Sequence, residues 1–252
     1  MVTRILAAAL LLLSSAAHAH SFVELTNQGS KAKNSEVGGG FAVSKTDYKS
    51  KDGKIFTLDR KSLGFSSIYD VGEGTNVFVQ MGRTVRTELE DFSDYNGDGY
   101  EAGAGLSTLA YRGEKSAIYG YGRFNYQSED MSFTKGDQKL KSSLDFYESS
   151  VGLLASLTTN PKLHPYAALE VYPINQGKIK SKVDDKSAAA ALAKLTENSK
   201  EAPDFSKTIE FQRSDILGMR IGAATHVQDF TLRGEMTMIT ETTFLVGAGF
   251  SF

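Results

Sequence analysis

The chain has 252 residues, a net charge of −2, and neither cysteine nor tryptophan. That length suits one barrel or sandwich, the near-neutral charge offers no basic field for nucleic acid, and disulfides and cysteine lipidation are excluded. Mean hydropathy is negative, and beyond residue 19 there is no apolar run of about eighteen residues, which excludes a helical membrane protein. A barrel stays open, because only alternate residues of its strands need face lipid.

In chain order, the first element is a leader. Arg4 precedes the apolar run Ile5 to Leu13, and Ala17-His18-Ala19 forms a small-x-small cleavage site, so residues 1–19 read as a secretory signal peptide. Residues 20–36 then read as a polar periplasmic segment, and 37–252 as one β-barrel domain. From there the apolar pattern has period two, with turn residues between runs. It predicts strands over 37–48, 55–70, 76–89, 100–112, 117–127, 145–157, 164–173, 208–226, 230–238 and 244–252. The expected fold is all-β: an antiparallel transmembrane barrel of about ten strands, with eight and twelve as the neighbouring counts.

Individual strands differ in how plainly they show a lipid face. Tyr147, Val151, Leu153 and Leu157 form one stripe, and Ala167, Leu169 and Val171 another. The fourth and fifth strands leave the choice of face open. In the third, Arg83 shares a face with Val77, Val79, Met81 and Val85; a bulge at Gly82 is the preferred explanation, and Arg83 reaching for a headgroup the other. Tyr69, Tyr111, Tyr166 and Tyr172 are candidates for interfacial girdles. Short connections at 70–76, 112–116, 158–163 and 227–229 alternate with long ones at 46–54, 90–99, 128–143 and 174–207, the expected asymmetry of periplasmic turns and outer loops. The tight connection at 240–242 breaks that rule. In the longest loop, Asp184-Asp185, the alanine-rich stretch 186–198 and Pro203 predict a short helix.

The final strand is the most informative. Phe244, Val246, Ala248, Phe250 and Phe252 occupy every second position to the C-terminal Phe. With the leader and the loop asymmetry, this resembles the small outer-membrane barrels of Gram-negative bacteria, the superfamily of the OmpA transmembrane domain and the OmpX-like and OmpW-like proteins. The resemblance implies residence in the outer membrane as a monomer, contact with its lipid and lipopolysaccharide, and a last strand read by the barrel-assembly machinery.

The opposite face of the strands carries Arg123, Glu148, Glu170, Arg220, Arg233 and Glu235. These are expected to be lumen charges, more in keeping with a salt-bridged, side-chain-filled interior than with a selective constriction, because a barrel of about ten strands lies near the filled end of the size range. Asp94, Asn96 and Asp98 have the spacing that opens a calcium loop, and also the composition of an ordinary turn; calcium is the one cofactor candidate, and otherwise none is expected. Barrel enzymes of the omptin, lipid A deacylase and palmitoyltransferase classes look like small barrels with a His near the outer side. Here His20, His164 and His226 fall near the periplasmic side, so no catalytic residue is assigned and no enzyme is expected. The lysines between Lys178 and Lys207 read as loop solvation, with lipopolysaccharide phosphates as the other partner considered. The expected function is therefore structural, surface-interacting or narrow porin-like transport. The alternative is a soluble lipocalin-like periplasmic barrel, whose apolar stripes would point inward around an apolar ligand. Period two alone does not say which face is outside.

Overall fold

The computed structural model describes residues 35–89, 92–135, 138–157, 159–160, 162–183, 208–239 and 241–252. The signal peptide, most of the 20–36 segment and the 186–198 helix lie outside these residues. The strands are β1 (Ser35–Ser50), β2 (Ile55–Gly72), β3 (Thr75–Leu89), β4 (Phe92–Arg112), β5 (Ser116–Lys135), β6 (Gln138–Leu157), β7 (Leu163–Val183), β8 (Thr208–Arg213), β9 (Leu217–Val227), β10 (Phe230–Met238) and β11 (Glu241–Ser251). Every pairing is antiparallel, and β11 pairs with β1, which closes the sheet into a barrel.

Closure is made differently at the two ends. On the side of the chain termini the wall runs from β7 through β9, β10 and β11 to β1, giving ten strands. At the other end β8 pairs directly with both β7 and β1, giving eight. The β10–β11 hairpin turns back early, at Ile239, and the segment 214–216 crosses above it, held by Ser214 N–H to Asp47 O (3.0 Å) and Tyr172 N–H to Ile216 O (2.9 Å). This accounts for the tight connection at 240–242: that hairpin never reaches the rim. It also corrects the single strand expected at 208–226, which is two strands with a break.

The polarity of the wall inverts along its height. In the ten-stranded part, the outward residues are apolar: Val77, Val79 and Met81 on β3, Val151, Leu153 and Leu157 on β6, Leu169 and Val171 on β7, and Phe244, Val246, Phe250 and Phe252 at the end of the chain. Their exposure (Leu169 is 64 % accessible) is what a lipid-facing surface requires. The outward face turns polar at Lys45 on β1, Lys61 on β2, Arg83 on β3 and Gln176 on β7, while Tyr100, Tyr126 and Tyr147 on β4 to β6 form a contacting aromatic arc (ring centroids 6.1 and 4.9 Å). Register neighbours Arg83–Tyr100, Tyr126–Tyr147 and Tyr147–Gln176 tie these positions into one band. Beyond it, Ser128, Asp130 and Ser132 of β5 and Lys178 and Lys180 of β7 point out, while Met131, Leu144, Phe146 and Phe211 point in.

Several sequence expectations are corrected by this arrangement. The long loops expected at 90–99 and 128–143 are mostly strand, because the alternation continues there with its sense reversed. The bulge of β3 is at Val85, not Gly82: Thr84 pairs with Gly99 and Thr87 with Gly97, leaving Val85 and Arg86 opposite one residue. Arg83 therefore stays on the outward face, at the polar band, with Asp98 at 3.0 Å. Tyr69 and Tyr111 are exposed at the end that carries the chain termini, but Tyr166 and Tyr172 are buried inside and belong to no girdle. The open choice on β4 resolves to Tyr100, Ala102, Ala104 and Leu106 facing out. Its inward face is Gly103, Gly105 and Ser107, where a Cβ at Gly103 would run into Asn125 and Gln80, and one at Gly105 into the Phe78 ring.

Candidate functional site: the filled lumen

All six predicted lumen charges, Arg123, Glu148, Glu170, Arg220, Arg233 and Glu235, are buried inside the barrel. Even residues of β9 and odd residues of β10 point inward, so Arg220 and Arg233 enter the lumen from adjacent strands. The structure adds Glu36, Arg60, Glu101, Glu129, Arg213 and Glu241 to this set. Among the described residues the buried bases that carry a permanent charge are all arginines, and the buried acids all glutamates. The guanidinium presents several donors in a fixed plane and can serve more than one carboxylate, which suits a crowded lumen better than a lysine point charge.

From the end that carries the chain termini upward the contents form layers. In the lowest, Arg233 Nη2 donates to Glu36 Oε1, Thr231 Oγ1 donates to Glu36 Oε2 (3.2 Å), and His226 Nδ1 lies 3.0 Å from Thr231 Oγ1. His164 meets His226 edge to face, with ring centroids 5.1 Å apart. Above it, Glu170 is the hub: Arg123 Nη2 approaches at 3.1 Å, Arg220 Nε at 3.5 Å, and Tyr121 donates at 3.0 Å. Arg220 also reaches Glu235 at 3.5 Å, and Tyr166 donates to that carboxylate at 2.8 Å. Removing Glu170 would leave two buried arginines facing each other, a change of the kind that costs about 3–5 kcal/mol.

The third layer sits at the junction between the ten- and eight-stranded parts. Arg213 pairs with Glu148, and with Glu241 at 3.0 Å; Thr46 Oγ1 donates to Glu241 at 3.2 Å. The Arg213 guanidinium lies 4.7 Å from the Tyr172 ring centre, a cation–π contact. Beside it Arg60 Nε stands 3.0 Å from Glu129 and Arg60 Nη1 donates to Tyr48 Oη at 2.8 Å, while Thr87 donates to Glu129 at 2.8 Å. These groups join β8, β11, β6 and β1 where the wall changes strand number.

An apolar cap fills the eight-stranded end. Tyr48, Leu58, Met131, Leu144, Phe146 and Phe211 are buried together, with Phe56 and Ile179 against them. Tyr48 packs edge to face on Phe146 (5.2 Å) and Phe211 (5.1 Å), and those two rings stack at 5.7 Å. A barrel of eight strands is narrow enough for side chains to fill, and aromatic rings do so here.

Among the described residues the remaining candidates do not assemble a second site. The calcium reading required a tight turn at 94–98, but β4 is already extended there, which spreads alternate residues about 6.6–6.8 Å apart along one face. Asp98 is instead exposed and bonded to Arg83, and the Asp94 and Asn96 side chains lie outside the described residues. His164 and His226 are at the end of the lumen that carries the chain termini. Phe244, Val246, Ala248 and Phe250 point outward on β11, the strand that closes the barrel, and Phe252 is exposed just beyond its end.

The class defined by this closed antiparallel wall, apolar outside and ionic inside, is the outer-membrane type of β-barrel. No family model and no curated protein sequence matches the chain. Among solved structures it is similar to the outer-membrane protease OmpT of Escherichia coli (TM-score 0.53, 8 % identity, covering 90 % of this chain and 100 % of that one). It also overlaps the translocator domain of the autotransporter NalP of Neisseria meningitidis (TM-score 0.47, 11 % identity, 90 % and 91 % covered) and the outer-membrane protein OprG of Pseudomonas aeruginosa (0.41, 15 %, 89 % and 98 %). At this identity the OmpT likeness is one of fold alone.

Proposed function

We propose that this chain is a non-enzymatic protein of the Gram-negative outer membrane, a closed barrel that serves structure and surface interaction and conducts no solute. The observation that supports a closed barrel most strongly is the succession of buried groups inside it, from the Glu36–Arg233 layer through Glu170 and Arg213 to the aromatic cap. Water and ions would have to break buried pairs and then pass a cluster of rings. The exposed apolar belt supports membrane residence. It runs against the lipocalin-like alternative, in which those stripes would line the interior and Arg220, Arg233 and Glu235 would face water. On this reading Phe244 through Phe252 carries the assembly signal, and the partners of the wall are lipid and lipopolysaccharide.

A role without catalysis is supported by the position of His164 and His226, both at the end of the lumen opposite the outer rim. The test of closure is electrical. The purified barrel in a planar lipid bilayer is expected to give no discrete conductance steps at moderate voltage; reproducible steps from a homogeneous sample would replace the plug with a pore.

A further inference from the structure

The outward wall at the rim holds a feature that neither the plug nor the lipid belt uses. Along the short β8 the surface is indented, a concavity of about 750 Å³ between β6, β7, β8 and β1. Its floor includes Phe211, Gly177 and Ser50, and four lysines stand around it: Lys49 and Lys51 from the end of β1, Lys178 and Lys180 from β7. Two carboxylates share the site, and both are occupied. Asp145 accepts from Tyr126 (2.9 Å) and Ser128 (3.0 Å), on the β5 side. Glu210 is gripped by Lys51, and by Lys178 at 3.2 Å, and hydrogen bonds from these two lysines hold its carboxyl below the ordinary carboxylate range. Lys49 and Lys180 have no ion-pair partner among the described residues, and the amides of Gln176 and Gln212 lie between the two strands.

Directly below, toward the apolar belt, the same stretch of wall changes character. Ile174, Ile216, Leu217 and Ile239 are exposed where the 214–216 crossover passes over the hairpin tip. A basic groove with amide groups, standing immediately above an apolar strip, is complementary to an amphiphile whose anionic sugar head sits above its acyl chains. We propose that this groove seats the phosphorylated headgroup of lipopolysaccharide, with phosphates on Lys49 and Lys180, sugar hydroxyls on Gln176 and Gln212, and acyl chains along Ile174 and Ile239. The inference rests on the outer-membrane reading above. Charge-assisted contacts to phosphate supply the selectivity, and a multiply phosphorylated head engages both lysines at once. Glu210 tempers the site by occupying Lys51 and Lys178.

The test uses the folded barrel in detergent micelles, titrated with lipopolysaccharide lacking O-antigen, with the same material stripped of its phosphates, and with phosphatidylglycerol. A heat-shifted gel band shows for each variant that the barrel is intact, so a failure of the site is separable from a failure of the membrane reading. Wild type should bind the phosphorylated glycolipid in preference to the other two, and lose affinity as salt rises. Lys49→Gln with Lys180→Gln should weaken binding about tenfold, the sum expected for two partly exposed charge contacts. Glu210→Gln should tighten it severalfold, and Lys115→Gln, at a turn on the opposite rim, should change nothing. Equal binding by the double variant, equal binding of the stripped lipid or of phosphatidylglycerol, or weaker binding by Glu210→Gln would each overturn the proposal. If the double variant fails to assemble, the lipid comparison and Glu210→Gln still decide.

Discussion

Above and below the band of Lys45, Arg83, Tyr126 and Tyr147, the same strands carry opposite instructions. In the ten-stranded part, alternate residues put Val, Leu and Phe outward and Arg, Glu and Ser inward. In the eight-stranded part, β5 to β8 put Ser, Asp and Lys outward and Leu, Phe and Met inward. The backbone is alike in both, so the difference is one of solvent. A strand in lipid needs apolar groups outside and tolerates charges only where they are paired inside. A strand in water needs the reverse, and the upper part is organised as a small soluble barrel with an aromatic core. The change of strand number falls near the same level, where β8 replaces the β10–β11 hairpin and Arg213 links Glu148 to Glu241.

The two parts should therefore fail in different ways. The largest effects come from their interiors. Below the band, Glu170→Leu is expected to cost about 3–5 kcal/mol in urea unfolding from lipid vesicles, since Arg123 and Arg220 lose their shared carboxylate. Above it, Phe146→Ala should also cost about 3–5 kcal/mol, by leaving a cavity among Tyr48 and Phe211. If Phe146→Ala were harmless, the cap would not be a packed core. The outward faces give a smaller but sharper contrast. Leu169→Arg, in the apolar belt, should cost about 2–4 kcal/mol, while Gln212→Arg, equally outward but above the band, should stay within about 0.5 kcal/mol. Similar costs at the two positions would remove the distinction.

Much of this was legible in the sequence, and the failures have physical causes. Nine of the ten segments and the burial of the six inward charges were legible because a lipid-facing wall forces a strong period of two; the segment 208–226 is two strands. The upper ends of β4 to β7 were read as loops because Ser128, Asp130, Lys141 and Ser143 look like loop residues, although Leu144 and Phe146 still alternated with them. A signal for the break between β8 and β9 was present: Arg213 and Arg220 differ by an odd number, so both can face inward only if the strand is interrupted, and Ser214-Asp215 is a natural place. Pro173 marks a similar shift in β7, where the inward residues pass from Tyr172 to Gly177. Glu36 was missed because it was placed in the polar 20–36 segment, and Glu241 because it was placed in a turn. The faces of β4 could not be ranked, since its inward glycines exist to make room for Phe78 and Asn125 and carry no polarity of their own. The groove along β8 had no sequence signature at all, because its lysines come from strands far apart in the chain.

The central claim is that the band marks the outer surface of the membrane. The chain has no cysteine, so single cysteines can report on it: Ser132→Cys on β5, above the band, and Val151→Cys on β6, below it. Both side chains are exposed on the protein itself, so only a membrane would distinguish them. In intact cells a membrane-impermeant maleimide is expected to label Ser132→Cys and to spare Val151→Cys, with both labelled after the protein is denatured in detergent. Equal labelling of the two in intact cells would contradict the account, and would mean that water, not lipid, covers the whole barrel.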